Sequence, residues 1–284
     1  MKNSLRAIFP HYQALLSAIY DEREAKSILY EYFAAKWNIA KYDIWLEIDK
    51  IFTEEEKRQM EADMARMLAY EPVQYVVENA IFYGLSLNVT PSVLIPRPET
   101  EELVQLILRA HTESMSLRIL DVGCGSGAIA IALKKMLPNA QLWALDYSED
   151  ALKIAKKNAL LYQVNINFIQ ADILTVESGK LPQVDIIVSN PPYIPERELS
   201  EMNKNVIDYE PHEALFVPDD DPLLFYREIA VKGTSLLSKG GSVYFETHHL
   251  YHQELIELLQ NIGYQDIESL KDINGQSRFI VGRR

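Results

Sequence analysis

The 284-residue sequence predicts an α/β protein, a mostly parallel sheet with helices on both faces, preceded by a small helical domain. Three observations carry this reading. From about residue 117 onward, short apolar runs alternate with amphipathic stretches, the pattern of strands joined by crossover helices. One such run, Val184-Asp185-Ile186-Ile187-Val188, ends in Ser189-Asn190-Pro191-Pro192-Tyr193, where the prolines forbid its continuation. The first ninety residues instead show helical spacing and little visible chemistry.

Composition narrows the function classes. The formal charge is −13, and residues 1–90 carry 10 Lys/Arg against 14 Asp/Glu while the remainder carries 18 against 27. Neither part has the basic excess that autonomous nucleic-acid binding needs, so no stable nucleic-acid complex is expected. Cys124 is the only cysteine, which excludes an intramolecular disulfide and a cysteine-cluster metal site and suits a reducing compartment. Residues 1–10 hold two early cations but too short an apolar run for a signal peptide. No segment approaches the ~20 apolar residues that span a bilayer. The expectation is a cytoplasmic protein, monomeric, with no membrane association and no metal.

In order along the chain, residues 21–37 read as one helix, with Ala25, Ile28, Leu29, Tyr32, Phe33 and Lys36 at helical spacing. A short helix is expected over 42–49. Another opens at Thr53-Glu54-Glu55-Glu56, a capping-box pattern, and Met60, Met64, Met67 and Leu68 form its apolar stripe, read as core. Residues 1–75 are assigned to a helical domain for substrate recognition. The pattern changes at Pro72. Residues 80–89 read as two short strands turning at Gly84, within a hairpin linker over 76–98. In Leu94-Ile95-Pro96-Arg97-Pro98-Glu99-Thr100-Glu101-Glu102 the prolines stiffen the entry to a helix and acidic residues load its first turn. Leu103, Ile107 and Leu108 would face inward. Arg97 has two readings, a fixed ligand contact or a surface cation.

Residues 99–284 form the catalytic domain. A strand over 117–120 runs into Asp121-Val122-Gly123-Cys124-Gly125-Ser126-Gly127 and then a helix over 128–137. A glycine-rich turn between strand and helix lets a ligand approach the backbone closely. Dinucleotide dehydrogenases use a related turn, but here the spacing is G-x-G-x-G, an Asp precedes it, and no second nucleotide-binding half is visible. Cys124 reads as a small residue in the turn, with no histidine near in sequence to make it a nucleophile. The next strand, 141–145, ends in Asp146, about 20 residues on, where an acidic side chain reaches ribose hydroxyls. Ser148 caps a helix over 149–161. A strand over 166–169 leads to Asp172, an acceptor for an adenine amino group, with Ile173 against the ring. Helices over 223–237 and 252–262, a strand over 242–246 and an antiparallel pair, 267–270 with 279–281, complete the sheet. His248 and His249, adjacent on an extended chain, would point to opposite faces and make no metal pair.

The Asn-Pro-Pro-Tyr stretch suggests the chemistry. An amide or amino-aromatic nitrogen is a poor nucleophile because its lone pair is delocalised. Holding its two N–H bonds turns that lone pair toward a methyl donor. The Asn190 side-chain oxygen accepts one hydrogen bond and a proline carbonyl, that of Pro191, the other. Tyr193 packs its ring against the planar group, and positioning alone is worth roughly 7–11 kcal/mol. These residues specify a planar nitrogen and do not separate glutamine from adenine.

Gly123 to Gly127, Asp146, Asp172 and Asn190 fall at the ends of successive strands. That constellation resembles the class I S-adenosylmethionine-dependent methyltransferases, which implies a seven-stranded, mostly parallel sheet. With the 94–101 segment and Tyr209-Glu210-Pro211-His212-Glu213-Ala214-Leu215, the chain is similar to the protein-(glutamine-N5) methyltransferases of peptide-chain release factors, the PrmC/HemK family. The resemblance covers nearly the whole chain. It implies a release-factor partner methylated on the glutamine of its Gly-Gly-Gln motif. It also implies S-adenosylmethionine held by Gly123, Cys124, Gly125, Ser126, Gly127, Asp146, Asp172, Ile173 and Asn190, and glutamine held by Asn190, Pro191, Pro192 and Tyr193. One departure is Glu246-Thr247-His248, where the family usually has a glycine after the glutamate. The alternatives are a nucleic-acid N-methyltransferase, a non-catalytic cofactor-binding adaptor and, more distantly, a nicotinamide dehydrogenase.

Overall fold

The structure, a computed structural model, describes residues 3–46, 48–111 and 116–284. Two compact units divide the chain: residues up to Asn79 with Asn203–Tyr209, and Ala80–Met202 with Glu210–Arg284.

In the first unit, α1 (Leu5–Leu16), α2 (Glu22–Trp37), α3 (Lys41–Trp45), α4 (Glu54–Leu68) and α5 (Val73–Val76) supply one apolar core that includes Leu5, Ile8, Leu29, Phe33, Met60 and Met64. Helical spacing is read only from residue 21 onward; the structure adds α1. Its Pro10 argues against a helix, yet Leu5, Ile8, Phe9, Tyr12 and Leu16 share its buried face. The start of α2 is fixed by Asp21, whose carboxylate accepts from the Arg23 and Glu24 N–H groups at 2.8 and 2.9 Å. The box opening α4 is reciprocal. Thr53 Oγ1 accepts from Glu56 N at 3.1 Å, and the Glu56 carboxylate accepts from Thr53 N at 2.6 Å. Met60, Met64 and Met67 are buried, so the stripe is core. The helix expected over 42–49 is shorter, ending at Trp45, and residue 47 lies outside the described residues. The distant segment 203–209 completes this unit. Tyr209 donates its hydroxyl to the Ala69 carbonyl at 2.7 Å, and Lys204 Nζ lies 5.2 Å from the centre of the Tyr70 ring.

The second unit opens with β1 (Ala80–Phe82) and β2 (Leu85–Leu87), joined through Tyr83 and Gly84, both at positive φ. This backbone matches the twist of a tight hairpin. The unit boundary falls just before the hairpin, which groups with the second unit. There follow α6 (Pro98–Ala110), β3 (Arg118–Val122), α7 (Ala128–Met136), β4 (Gln141–Asp146), α8 (Glu149–Leu161), β5 (Asn167–Gln170), β6 (Val184–Ser189) and β7 (Ile194–Pro195). After α9 (Lys204–Ile207), which lies in the first unit, come β8 (Phe216–Val217), α10 (Leu224–Leu236), β9 (Leu237–Glu246), α11 (His252–Ile262), β10 (Gln265–Lys271) and β11 (Ser277–Arg283).

The main sheet has seven strands in the order β10-β11-β9-β6-β3-β4-β5. Five run parallel, and β11 and β10 close it antiparallel. This is the mostly parallel seven-stranded sheet that the resemblance implies. Side chains alternate across it. Ile186 and Val188 of β6 join a core with Leu103 of α6 and Ile131 of α7 on one face, while Ile187 joins Tyr226 of α10 and Leu255 of α11 on the other. The chain steps outward from β3 to β4 and β5 on one side and to β6 and β9 on the other. Strand order therefore reverses at β3, and a crevice opens at the carboxyl ends beside it.

Candidate active site

The glycine turn follows β3 and is pinned to β4. Gly123 N and Cys124 N donate to the Leu145 carbonyl at 2.8 and 3.0 Å, and Gly125 N donates to Asp146 Oδ2 at 2.8 Å. Gly123, Gly125 and Gly127 all have positive φ, a conformation strained for any side chain. From below, fully buried Asn158 of α8 donates to the Ser126 and Asn88 carbonyls, each at 2.9 Å. Its oxygen accepts from Asn88 N at 2.7 Å. All of its polar capacity is used.

Asp146 Oδ1 accepts from Ser148 N at 3.0 Å. Burial raises this carboxyl above its ordinary range, and the N–H groups of Ser148 and Gly125 oppose that. Asp121, fully buried, accepts from Ala130 N at 3.1 Å through Oδ2, while Oδ1 has no partner. Burial pushes it up to about 7. Asp172 follows β5, and its Oδ1 accepts from Leu174 N at 2.8 Å, which holds the carboxylate at the head of a turn.

Several of these groups line one cavity. Gly123, Gly125, Asp146, Asp172, Ile173, Asn190, Pro191 and Pro192 are in its wall. Cys124, Ser126, Gly127 and Tyr193 are not. Cys124 and Ser126 are turned into the fold and buried, and a Cβ on Gly127 would press on Ile131 and Ala155 at 3.1 and 3.2 Å, so it serves helix packing. Burial, with Asp121 and Asp146 nearby, drives the Cys124 thiol well above its usual range, which denies it thiolate character. The wall also holds Tyr147, Glu213 and Phe225, which sequence reasoning does not single out as site residues. Tyr147 is signalled only by following Asp146. Burial and the facing Glu213 carboxylate raise its phenol to about 12.

Asn190 lies at the carboxyl end of β6. Its Nδ2 donates to Thr100 Oγ1 at 3.2 Å, and Thr100 Oγ1 donates to Glu246 Oε2 at 2.7 Å. Tyr193, next to the cavity wall, donates its hydroxyl to Glu246 Oε1 at 3.3 Å, and its ring meets His248 edge-on at 5.9 Å. Thr100 and Glu246, which the sequence marks only as parts of the 94–101 segment and of Glu246-Thr247-His248 and gives no role in the site, are thus members of it. The available signal was an acid ending a buried strand, as Asp146 does. Arg97 is not a free surface cation. Its guanidinium pairs with Glu210 Oε1 at 2.6 Å, and Glu210 Oε2 accepts from Ile95 N at 3.2 Å. Buried Glu210 thereby ties the 94–101 segment to the 209–215 segment, and Leu94, Pro211 and Glu213 enter the same cavity wall. His248 and His249 do not point to opposite faces. They lie beyond β9 with rings stacked at 4.8 Å, and His248 Nε2 faces Glu198 Oε2 at 3.2 Å. Among the described residues, no group of three or more His, Cys, Asp or Glu is placed to hold a metal ion, and no helix is long and apolar enough to cross a membrane.

Comparison with known proteins adds three findings. A family model described as methyltransferase small domain matches residues 100–209. The chain is 42% identical over 269 residues to a release factor glutamine methyltransferase of Bacteroides thetaiotaomicron, across 95% of this chain and 96% of that one. It is also 42% identical over 268 residues to that of Flavobacterium psychrophilum, across 93% and 94%. Among solved structures, a methyltransferase from Pyrococcus furiosus aligns with a TM-score of 0.52 and 15% identity, over 81% of this chain and 98% of its own. The delta-N METTL16 MTase domain aligns with 0.53 and 18%, over 71% and 89%. At such identities these structures speak to the fold alone.

Proposed function

The chain belongs to the release factor glutamine methyltransferase family, and on that premise we propose that it methylates the side-chain amide nitrogen of the glutamine in the Gly-Gly-Gln motif of peptide-chain release factors. The methyl donor of such an enzyme is S-adenosylmethionine, and the residues present fit it. A Cβ on Gly123 or Gly125 would meet nothing within 4 Å, so the backbone there opens directly onto ligand space. The Asp146 and Asp172 carboxylates offer acceptors for hydroxyl and amino groups, and Ile173 offers an apolar wall. When bound, this cofactor supplies a methyl group activated by a sulfonium leaving group.

The remaining work belongs to the chain. Asn190 Oδ1 and the Pro191 carbonyl take the two N–H bonds of the target amide, which turns the nitrogen lone pair out of conjugation. Pro191 and Pro192 keep this edge from relaxing into strand or helix. Tyr193 flanks the planar group. The observation that carries the reading is the oriented Asn190 amide, whose nitrogen is engaged by Thr100 and whose oxygen is left as an acceptor beside the glycine cradle.

The helical unit recognises the body of the release factor, and the protein acts as a cytoplasmic monomer. The net charge of −13 argues against a nucleic-acid substrate. The test incubates the protein with methyl-labelled S-adenosylmethionine and either release factor or nucleic acid. Label on the release-factor glutamine is expected. Label on nucleic acid with none on release factor would overturn the assignment.

A further inference from the structure

Thr100 and Glu246 are 146 positions apart and meet directly behind Asn190. Thr100 sits in the first turn of α6 and Glu246 at the last position of β9, at 5% and 1% exposure. Their hydrogen bonds have a direction that chemistry dictates. An ionised carboxylate only accepts. The Thr100 hydroxyl has one proton and donates it to Glu246 Oε2 at 2.7 Å. What it can offer Asn190 is therefore a lone pair, and Asn190 must present its NH2 group, as it does at 3.2 Å. The carbonyl end of the amide is then the end left for the acceptor site. Tyr193 is governed by the same carboxylate, through Oε1.

We infer that Glu246, acting through Thr100, is the positioning residue that sets which end of the Asn190 amide faces the substrate nitrogen. The inference rests on the methyl-transfer reading above, in which Asn190 Oδ1 accepts from the target amide. With the amide reversed, an Asn190 N–H would oppose a substrate N–H, and two donors cannot pair. A carboxylate at the end of the relay excludes that arrangement. A neutral group there permits it, because the Thr100 proton is then free to turn toward Asn190.

Glu246 has defined surroundings. Thr100 and Glu99 face it from α6, Arg278 from β11, Tyr226 from α10, and Tyr193 from the turn after β6. His248, two positions on, faces Tyr193 and pairs with Glu198. Burial pushes the Glu246 carboxyl up to about 7, against the pull of the Thr100 hydroxyl and Arg278. Below that pH the carboxyl carries a proton and the relay loses its direction.

Four proteins test this: wild type, Thr100→Val, Thr100→Ser and Glu246→Gln. Turnover number and KM for release factor are measured with the dissociation constant for S-adenosylmethionine and a pH profile. Thr100→Val should lose roughly 10²-fold in turnover number, the scale of removing one positioned hydrogen-bonding group at the reacting atoms. Cofactor affinity should stay within about threefold, and Thr100→Ser, which restores the hydroxyl, should recover most of the loss. Wild-type turnover should rise with pH through about 7. Glu246→Gln, which keeps the volume and carries the test if Thr100→Val does not fold, should be slow and lack that rise. Thr100→Val turning over like wild type, a loss that Thr100→Ser shares in full, or an unchanged pH profile in Glu246→Gln would each overturn the inference. Wild type that leaves release factor unlabelled overturns instead the methyl-transfer reading.

Discussion

Strands β3 and β6 run side by side with Val122 opposite Ser189, and each ends in a turn at the same cavity, but the two turns are held in different ways. After β3 the glycines accept positive φ and the turn is fixed by its own N–H groups, on the Leu145 carbonyl and the Asp146 carboxylate. After β6 the prolines stiffen the chain, Tyr193 N and Ile194 N donate to the Leu215 carbonyl at 3.2 and 3.0 Å, and the side chains of Asn190 and Tyr193 add bonds to Thr100 and Glu246. A backbone-built turn is inseparable from the fold around it. Where prolines and bonds to a neighbouring segment hold the backbone, as after β6, the reacting side chains can be lost and the shape kept. Substitutions on the β3 side should therefore act on cofactor affinity and stability together, and those on the β6 side on turnover alone.

The largest expected effect breaks the comparison at its sharpest point. Asn190→Ala should lower turnover by 10²- to 10³-fold while the dissociation constant for S-adenosylmethionine, followed by calorimetry, moves by less than about threefold. A comparable loss of affinity would erase the distinction between the two turns. Asp146→Ala should do the reverse. Losing the acceptor for Gly125 N and Ser148 N should weaken cofactor binding roughly tenfold and lower stability by about 1–2 kcal/mol, the cost of unsatisfied buried donors. Turnover at saturating cofactor should change little.

The smallest effect sharpens the comparison through pH. Asp121 is buried with one oxygen unpartnered, and its carboxyl is raised to about 7 in the folded protein, above the ~3.9 of an unfolded chain. The native state therefore holds the proton over a range in which the unfolded state has lost it. The contribution of Asp121 to stability is fullest below about 4 and is lost as pH rises through about 7. Asp121→Asn, whose amide keeps an acceptor for Ala130 N, should flatten part of that decline. Its melting temperature should gain on wild type by a few degrees between pH 5 and 8. An equal difference at both pH values would remove Asp121 from the account. Glu246, raised for the same reason, keeps some slope in either protein.

Much of this molecule was legible in the sequence because its signals are local. A glycine run after an apolar strand, an acid about 20 residues on and an Asn-Pro-Pro-Tyr after a strand each report a strand end without reference to the rest of the chain. The same holds for the Thr53 and Ser148 caps. The groups that stayed hidden act across sequence distance. Glu210 meets Ile95 and Arg97 from more than a hundred positions away, so Arg97 alone shows only a cation between prolines. Thr100 and Glu246 look like a helix-start hydroxyl and a strand-end acid until the sheet brings them together. Helix α1 stayed hidden for a different reason, since Pro10 is a local signal that tertiary burial of Leu5, Ile8 and Tyr12 overrides.

The grouping of Asn203–Tyr209 with the helical unit bears on how the chain is made. Domains generally fold as they leave the ribosome, amino-terminal first, yet here the first unit is not whole until residue 209 has been added. At ~5–20 residues per second, the interval from residue 79 to residue 209 lasts on the order of ten seconds. Throughout it the Ala69 carbonyl and the Tyr70 ring lack Tyr209 and Lys204. The nascent helical unit must wait, part-finished, while β3 to β6 are synthesised, and the segment that completes it arrives after the Asn-Pro-Pro-Tyr turn and β7.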